Sequence, residues 1–222
     1  MQENILPVDA IGPQVVAAVL NRHRNAVLTA PTGSGKTTRI PQHLHLANRR
    51  LRILVVQPRR IACRSVARRV AKELEVWAGQ EVGYVTRGDV RKSDKTVVTF
   101  VTDGILLQMF HIDPQLKKFD VIIFDEFHER RLMTDLALAQ ARRAQLLGSK
   151  IRIIAMSATL PDQERLVEFL QAELFIVEGR SFPVEIRHVC SRPKEHRLAD
   201  RVAEIVREAL TEVPEGDILV FL

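Results

Sequence analysis

Short runs of uninterrupted apolar or β-branched residues alternate along this chain with longer stretches in which apolar positions recur every three or four residues. The runs at 26–29, 51–57, 96–101, 121–124 and 151–156 lack the polar alternation of a half-exposed strand. They predict strands buried on both faces. The stretches at 37–47, 61–76, 104–111, 132–147 and 163–170 predict amphipathic helices. Strand, helix, strand, helix predicts an α/β fold, a mostly parallel sheet with helices on both faces. Such sheets take ligands outside the carboxyl ends of their strands, so the residues after each apolar run are the place to look for chemistry.

The pattern changes after residue 178. Gly179-Arg180-Ser181-Phe182-Pro183 reads as a turn-rich break, followed by an expected strand at 184–189. Ser191-Arg192-Pro193-Lys194 reads as a linker, 198–210 as an amphipathic helix and 218–222 as a buried-type strand. A strand of that type at the last residue suggests a second domain cut short. The expected division is therefore a domain over 1–178, a linker segment over 179–196 and the start of a truncated second domain over 197–222. An unpaired apolar strand is an association hazard, which makes a dimer through 218–222 an expectation to test.

Composition sharpens this only modestly. With 222 residues, 46% hydrophobic and 27% charged, the chain has ample material for one packed domain plus a fragment. Lys+Arg 33 against Asp+Glu 27 gives a net charge of +6. Such an excess suits a phosphate-bearing partner but does not identify one. Cys63 and Cys190 form no C-x-x-C pair and read as reduced thiols. No secretory signal opens the sequence and no apolar run approaches the ~20 residues of a membrane span. A soluble, cytoplasmic protein without a membrane partner is expected.

The first apolar run leads into Ala30-Pro31-Thr32-Gly33-Ser34-Gly35-Lys36-Thr37-Thr38 and then into a helical pattern. Strand, glycine-rich loop and helix are the context a phosphate-binding loop requires. Gly33 and Gly35 let the backbone curl so that N–H groups face an anion, and the helix start adds its positive dipole end. Lys36 is placed to reach the β- and γ-phosphates of a nucleotide, and the Thr37 hydroxyl to ligate Mg²⁺. Thr32, Ser34 and Thr38 complete the nucleotide cradle. The bland alternative, a Gly/Ser-rich turn with an incidental lysine, is disfavoured by the flanking strand and helix.

The run at 121–124 ends in Asp125-Glu126-Phe127-His128-Glu129-Arg130. Two adjacent acids at a strand's carboxyl end suit Mg²⁺ binding by Asp125, with Glu126 beside the metal to orient and deprotonate the attacking water. His128, next to the acids, suits a coupling role. By itself this hexapeptide equally fits an ordinary charged loop; the phosphate loop decides between the two.

These residues together carry a resemblance. The chain resembles the DEAH/RHA group of superfamily 2 helicases in Gly33–Thr38 and in Gln57-Pro58-Arg59-Arg60-Ile61-Ala62. It continues through Thr102-Asp103-Gly104-Ile105-Leu106, 125–130, Ser157-Ala158-Thr159-Leu160, 179–184 and 216–222, all in the right order. Phe127, Leu6-Pro7-Val8, Gly83-Tyr84 and Arg87-Gly88 are similar to the bacterial HrpB-type branch. The resemblance implies that 1–178 is a RecA-like P-loop NTPase domain and that 197–222 begins a second RecA-like domain. It further implies that Arg59, Arg60, Thr102, Asp103 and Gly104, with Arg87, contact nucleic acid. Arg69 would stack on the nucleotide base, and Ser157, Ala158 and Thr159 would couple hydrolysis to domain movement. The bland rivals are a solvated basic helix face for Arg69, a helix cap for Thr102 and strand-end caps for Ser157 and Thr159.

The expected function is ATP-dependent helicase action on single-stranded or partly duplex nucleic acid, with RNA the expected polymer. The Q-x-x-G-R-A-G-R stretch that carries the family's arginine fingers does not occur here. Slow hydrolysis and no unwinding are therefore expected of this chain alone. A GTPase would need an N-K-x-D stretch, which is absent. The remaining alternative is a nucleotide-dependent nucleic-acid-binding adaptor, for which Glu126 has no evident use.

Overall fold

The structure, a computed structural model, describes residues 5–159, 163–178, 185–189, 198–212 and 216–221. The chain divides into two compact units, Met1–Arg180 and Ser181–Leu222. The first contains an eight-stranded sheet: β1 Asn25–Thr29, β2 Ile53–Gln57, β3 Val82–Thr86, β4 Asp89–Arg91, β5 Val98–Thr102, β6 Val121–Phe124, β7 Arg152–Ser157 and β8 Ala172–Ile176. Their order across the sheet is β4-β3-β5-β2-β6-β7-β1-β8. Every pairing is parallel except β3 with the edge strand β4.

The absence of polar alternation has its cause in two cores, one on each face. Ala26 and Leu28, Ile53 and Val55, and Val121 and Ile123 point to one face, whereas Val27, Leu54, Val56, Ile122 and Phe124 point to the other. A period of two along a strand sends successive side chains to opposite faces, so both sets must be apolar. The first face is covered by α1 Gly12–Val16, α2 Lys36–Ala47 and α3 Arg60–Glu73, through residues such as Val15, Leu44 and Val70. The second is covered by α4 Asp103–Ile112, α5 Leu132–Leu146 and α6 Gln163–Leu170, through Leu106, Phe110, Leu138 and Leu170. The expected α/β architecture is present, with helix bounds shifted by a few residues. Glu75, with φ of +58°, lies just beyond α3 in a left-handed conformation that the helix cannot continue through.

Three features were not anticipated. A 3₁₀ turn at Pro7–Ala10, α1 and a π-turn at Ala17–Asn21 precede the first strand. The hairpin of β3 and β4 extends the sheet beyond β5, and β8 covers the other edge. In the second unit, α7 Leu198–Glu212 contains the expected helix and has no buried residue. The strands expected at 184–189 and 218–222 are corrected: residues 185–189 and 218–221 are not in strands. An apolar run becomes a strand only where a neighbouring segment supplies hydrogen bonds, and among the described residues none pairs with these. Residues 179–184 and the linker at 191–194 lie outside the described residues, as do Val184, Cys190 and Leu222. Cys63 is a buried free thiol, pushed up to about 12 by burial.

Candidate nucleotide and nucleic-acid site

Five adjacent parallel strands deliver their chemistry to one rim. In sheet order, Thr102 ends β5, Gln57 ends β2, Asp125 follows β6, Ser157 ends β7 and Ala30 follows β1. The rim opens onto a cleft of about 540 Å³ lined by loop residues Thr32, Gly33, Gly35, Lys36, Thr37 and Thr38. Gln57, Pro58, Arg59, Arg69, Glu126 and Glu129 line its other wall.

The loop is shaped by two left-handed glycines, Gly33 at φ +80° and Gly35 at φ +88°. Gly35 caps α2, and its carbonyl accepts from the Thr38 and Arg39 N–H groups at 3.1 and 2.8 Å. The earliest N–H groups of a helix have no intrahelical partner, so the start of α2 presents donors toward the cleft. Lys36 is 3% exposed, and among the described residues no carboxylate forms an ion pair with it. A buried ammonium without a counter-ion is costly, and an anion in the cleft removes that cost. Ser34 Oγ is likewise buried without a partner.

Asp125 is 1% exposed. It accepts from Gln57 Nε2 and from the Glu126 N–H, the latter at 2.9 Å. Burial pushes its carboxyl up to about 6 and the negative Glu126 adds to the rise, while the Thr37 hydroxyl, the Glu126 N–H and Lys36 oppose it. Lys36, Thr37, Glu126 and Glu129 line one cleft, which brings the loop and the acidic motif together. A divalent cation would favour the charged carboxylate. The Thr37 hydroxyl and the Asp125 carboxylate are oxygen donors of the kind Mg²⁺ takes, and they fit that ion.

Glu126 adopts a left-handed conformation at φ +51° and Arg130 another at φ +45°. A non-glycine residue there costs on the order of 1–3 kcal/mol, so the surroundings must hold the turn. Phe127, which replaces a smaller residue of the resembled motif, is 3% exposed and packs in the second core. The Arg130 guanidinium lies 5.4 Å from the centre of its ring, and Arg131 donates to the Pro58 carbonyl. These contacts fix the turn on which Glu126 reaches the cleft.

His128 sits between Glu126 and the end of β7. Its Nδ1 is 3.4 Å from Glu126 Oε2 and 3.4 Å from the Ala158 N–H nitrogen. Nδ1 accepts from Ala158 only when unprotonated and donates to Glu126 only when protonated. Those two bonds exclude each other. Ser157 Oγ donates to the Thr159 carbonyl at 2.6 Å, and the Ser157 carbonyl accepts from Ala30 N–H at 3.0 Å. The Ser157–Thr159 segment thus touches the acidic motif on one side and the phosphate loop on the other.

The nucleic-acid candidates divide. Arg60 donates to the Arg87 carbonyl, and both residues are exposed beside the rim. Thr102 is the N-cap residue of α4 without a side-chain capping bond. The Asp103 carboxylate is buried, accepting from Gly104 N–H at 2.8 Å and the Thr134 hydroxyl at 3.2 Å. Arg59 lines the cleft at the phosphate loop and pairs with Glu129 at 2.9 Å. Arg69 lines the same cleft, with its guanidinium on Glu73 at 2.8 Å.

Six residues that line the cleft, Leu6, Gln57, Pro58, Ala62, Val66 and Glu129, had no site role in the sequence reading. Gln57 ends an apolar run as Asp125 follows another, and that parallel was the available signal. Glu129 was read only as part of its motif. Leu6 packs on Gly35, where an added Cβ would lie 2.5 Å from Leu6 Cδ1; no local pattern points to that contact.

A model of the DEAD/DEAH box helicase family matches residues 10–167. Two solved structures are also similar. One, described as Escherichia coli DEAH/RHA helicase HrpB, is 40% identical with a TM-score of 0.85 over 93% of this chain and 26% of its own. The other, described as E. coli DExH-box NTPase HrpB, is 37% identical with a TM-score of 0.84 over 100% of this chain and 27% of its own. This chain spans about a quarter of the length of either structure.

Proposed function

Because the chain belongs to the DEAD/DEAH-box helicase family, we propose that it binds Mg²⁺-ATP in the Lys36–Asp125 cleft and hydrolyses it as the first motor half of a nucleic-acid helicase. The observation that carries this reading is the buried Lys36, without an ion-pair partner among the described residues, in one cleft with Glu126 and at the same rim as the buried Asp125. Lys36 and the loop N–H groups hold the β- and γ-phosphates, and Arg69, which lines the cleft, stacks its guanidinium on the base. Thr37 and Asp125 would hold Mg²⁺, which when bound neutralises phosphate charge. Glu126 orients a water and takes its proton. The segment 157–159, through His128, transmits the state of Glu126 to a neighbouring domain.

The substrate polymer is single-stranded or partly duplex RNA, bound along Arg60, Arg87, Thr102 and Gly104. In this arrangement 1–178 is the nucleotide domain, 179–196 a connecting segment and 197–222 the start of a second RecA-like domain. Because the sequence lacks the arginine-finger stretch, hydrolysis by this chain alone is slow, by on the order of 10³–10⁵ relative to a completed site. It does not unwind duplexes.

Calorimetry and single-turnover hydrolysis test this reading. Wild type should bind Mg²⁺-ADP, and Lys36→Ala should lose at least tenfold in affinity, the scale of one charged hydrogen bond. Glu126→Gln should retain binding and lose hydrolysis by about 10²-fold or more. A folded wild type that binds no nucleotide, or a Lys36→Ala variant of unchanged affinity, would show that the loop is misassigned.

A further inference from the structure

A second concave site lies at the opposite edge of the same sheet, about one strand length (~17 Å) from the nucleotide rim. It is an open cleft of about 760 Å³ at the amino ends of β2, β5 and β6. Arg50, Arg52, Lys92, Lys117 and Lys118 line it, together with the half-buried ring of Phe119.

Exposed basic residues are usually just solvated, but three observations separate these from an ordinary surface. The first is pairing. Around the carboxyl rim four arginines are answered by acids, Arg59 by Glu129, Arg64 by Asp89, Arg69 by Glu73 and Arg130 by Asp135, while Arg60 donates to the Arg87 carbonyl. At the amino edge none of the five cationic groups has an ion-pair partner among the described residues. The second is the fate of the nearby acids. Asp120 Oδ2 is taken by the Arg52 backbone N–H at 2.8 Å, leaving Asp94 as the other carboxylate in the cleft. The third is that the turns presenting the lysines are held in place. The Asp113 carboxylate accepts from the Gln115 and Lys117 N–H groups at 3.2 and 2.8 Å. Thr96 Oγ1 accepts from Ser93 N–H at 2.9 Å and donates to the Gln80 carbonyl at 2.6 Å, fixing the turn after Lys92.

Five cations against two carboxylates in one concavity favour a ligand with several phosphates. The Phe119 ring among them adds a face on which a base can stack, the combination that binds single strands with little sequence preference. We propose that the amino-edge cleft binds the phosphodiester backbone of a single-stranded nucleic acid, separately from the nucleotide cleft and from the carboxyl-rim arginines. The strand leaving or approaching the motor would be held there, on the far side of the domain from ATP.

The test uses a fluorescently labelled 20-nucleotide oligouridylate, with anisotropy followed across a salt series. Combining Lys92→Ser, Lys117→Ser and Lys118→Ser should weaken binding at least tenfold at low salt. The slope of log affinity against log salt should fall by about 2, three phosphate contacts at ~0.7 each. Mg²⁺-ADP affinity should stay unchanged, which separates this result from any failure of the nucleotide reading. Arg60→Ala should leave the lysine-dependent part of the binding intact. Phe119→Ser supplies an independent arm: it should weaken oligouridylate several-fold while inorganic tripolyphosphate binds both proteins equally. An unchanged slope in the triple variant would overturn the proposal. So would tripolyphosphate competing as well as the oligonucleotide at equal phosphate concentration, which would mark a small-anion site instead.

Discussion

Asp125 carries the least comfortable charge in the domain, a carboxylate with almost no exposure, held between the Gln57 amide and the Glu126 N–H. Burial lifts it from an ordinary 3.8 to about 6, so the folded protein holds this proton more tightly than the unfolded chain does. The resulting stability is fully present below pH ~4 and is lost as pH rises through about 6. In denaturant titrations without metal or nucleotide, the stability of Asp125→Asn minus that of wild type should rise by about 3 kcal/mol between pH 3.5 and 7.5. A difference that stays flat across that range would mean the carboxyl is not shifted. Lys36 and Asp125 were legible as residues because their motifs are local in sequence. The Gln57 contact was not, because it depends on β2 lying beside β6, a pairing across 68 residues.

Among the elements, the central strands were the most legible and the margins the least. The β1, β2, β6 and β7 runs are apolar on both faces, and that pattern admits few other readings. The β3–β4 hairpin carries polar and glycine positions for a reason no window of sequence reveals. A Cβ on Gly83 would lie 2.4 Å from the Arg91 carbonyl oxygen, so glycine is needed where the hairpin closes. Asn25, the one polar residue of β1 with full burial, ties four elements together. Its Nδ2 donates to the Leu170 carbonyl at 2.7 Å and to Gln145 Oε1 at 3.1 Å, while its Oδ1 accepts from Ile153 N–H at 2.9 Å and Gln145 Nε2 at 2.8 Å. Asn25→Ala strands several buried partners and should cost roughly 2–4 kcal/mol in chemical denaturation. Nucleotide affinity should be unaffected, since the residue sits at the amino end of β1 and the loop follows its carboxyl end. Loss of binding in a folded variant would count against that separation.

The whole molecule is uneven in how well its parts are covered. The first unit has two apolar cores, whereas in the second unit α7 buries nothing and Ile218, Leu219, Val220 and Phe221 are all substantially exposed. A contiguous apolar surface of this kind favours association. Light scattering should show a mass that rises with concentration, and Leu219→Lys combined with Phe221→Lys should return it to the monomer value. A wild type that stays monomeric at millimolar concentration would remove the idea.

The strand order has one more consequence. β1 and β6, which carry the phosphate loop and the acidic pair, never touch; β7 runs between them and bonds to both. If the proposed roles hold, its last residues form the crossbar of a lever: a neighbouring body that pushed on residues 157–159 would tilt the loop at Lys36 and the turn at Glu126 together.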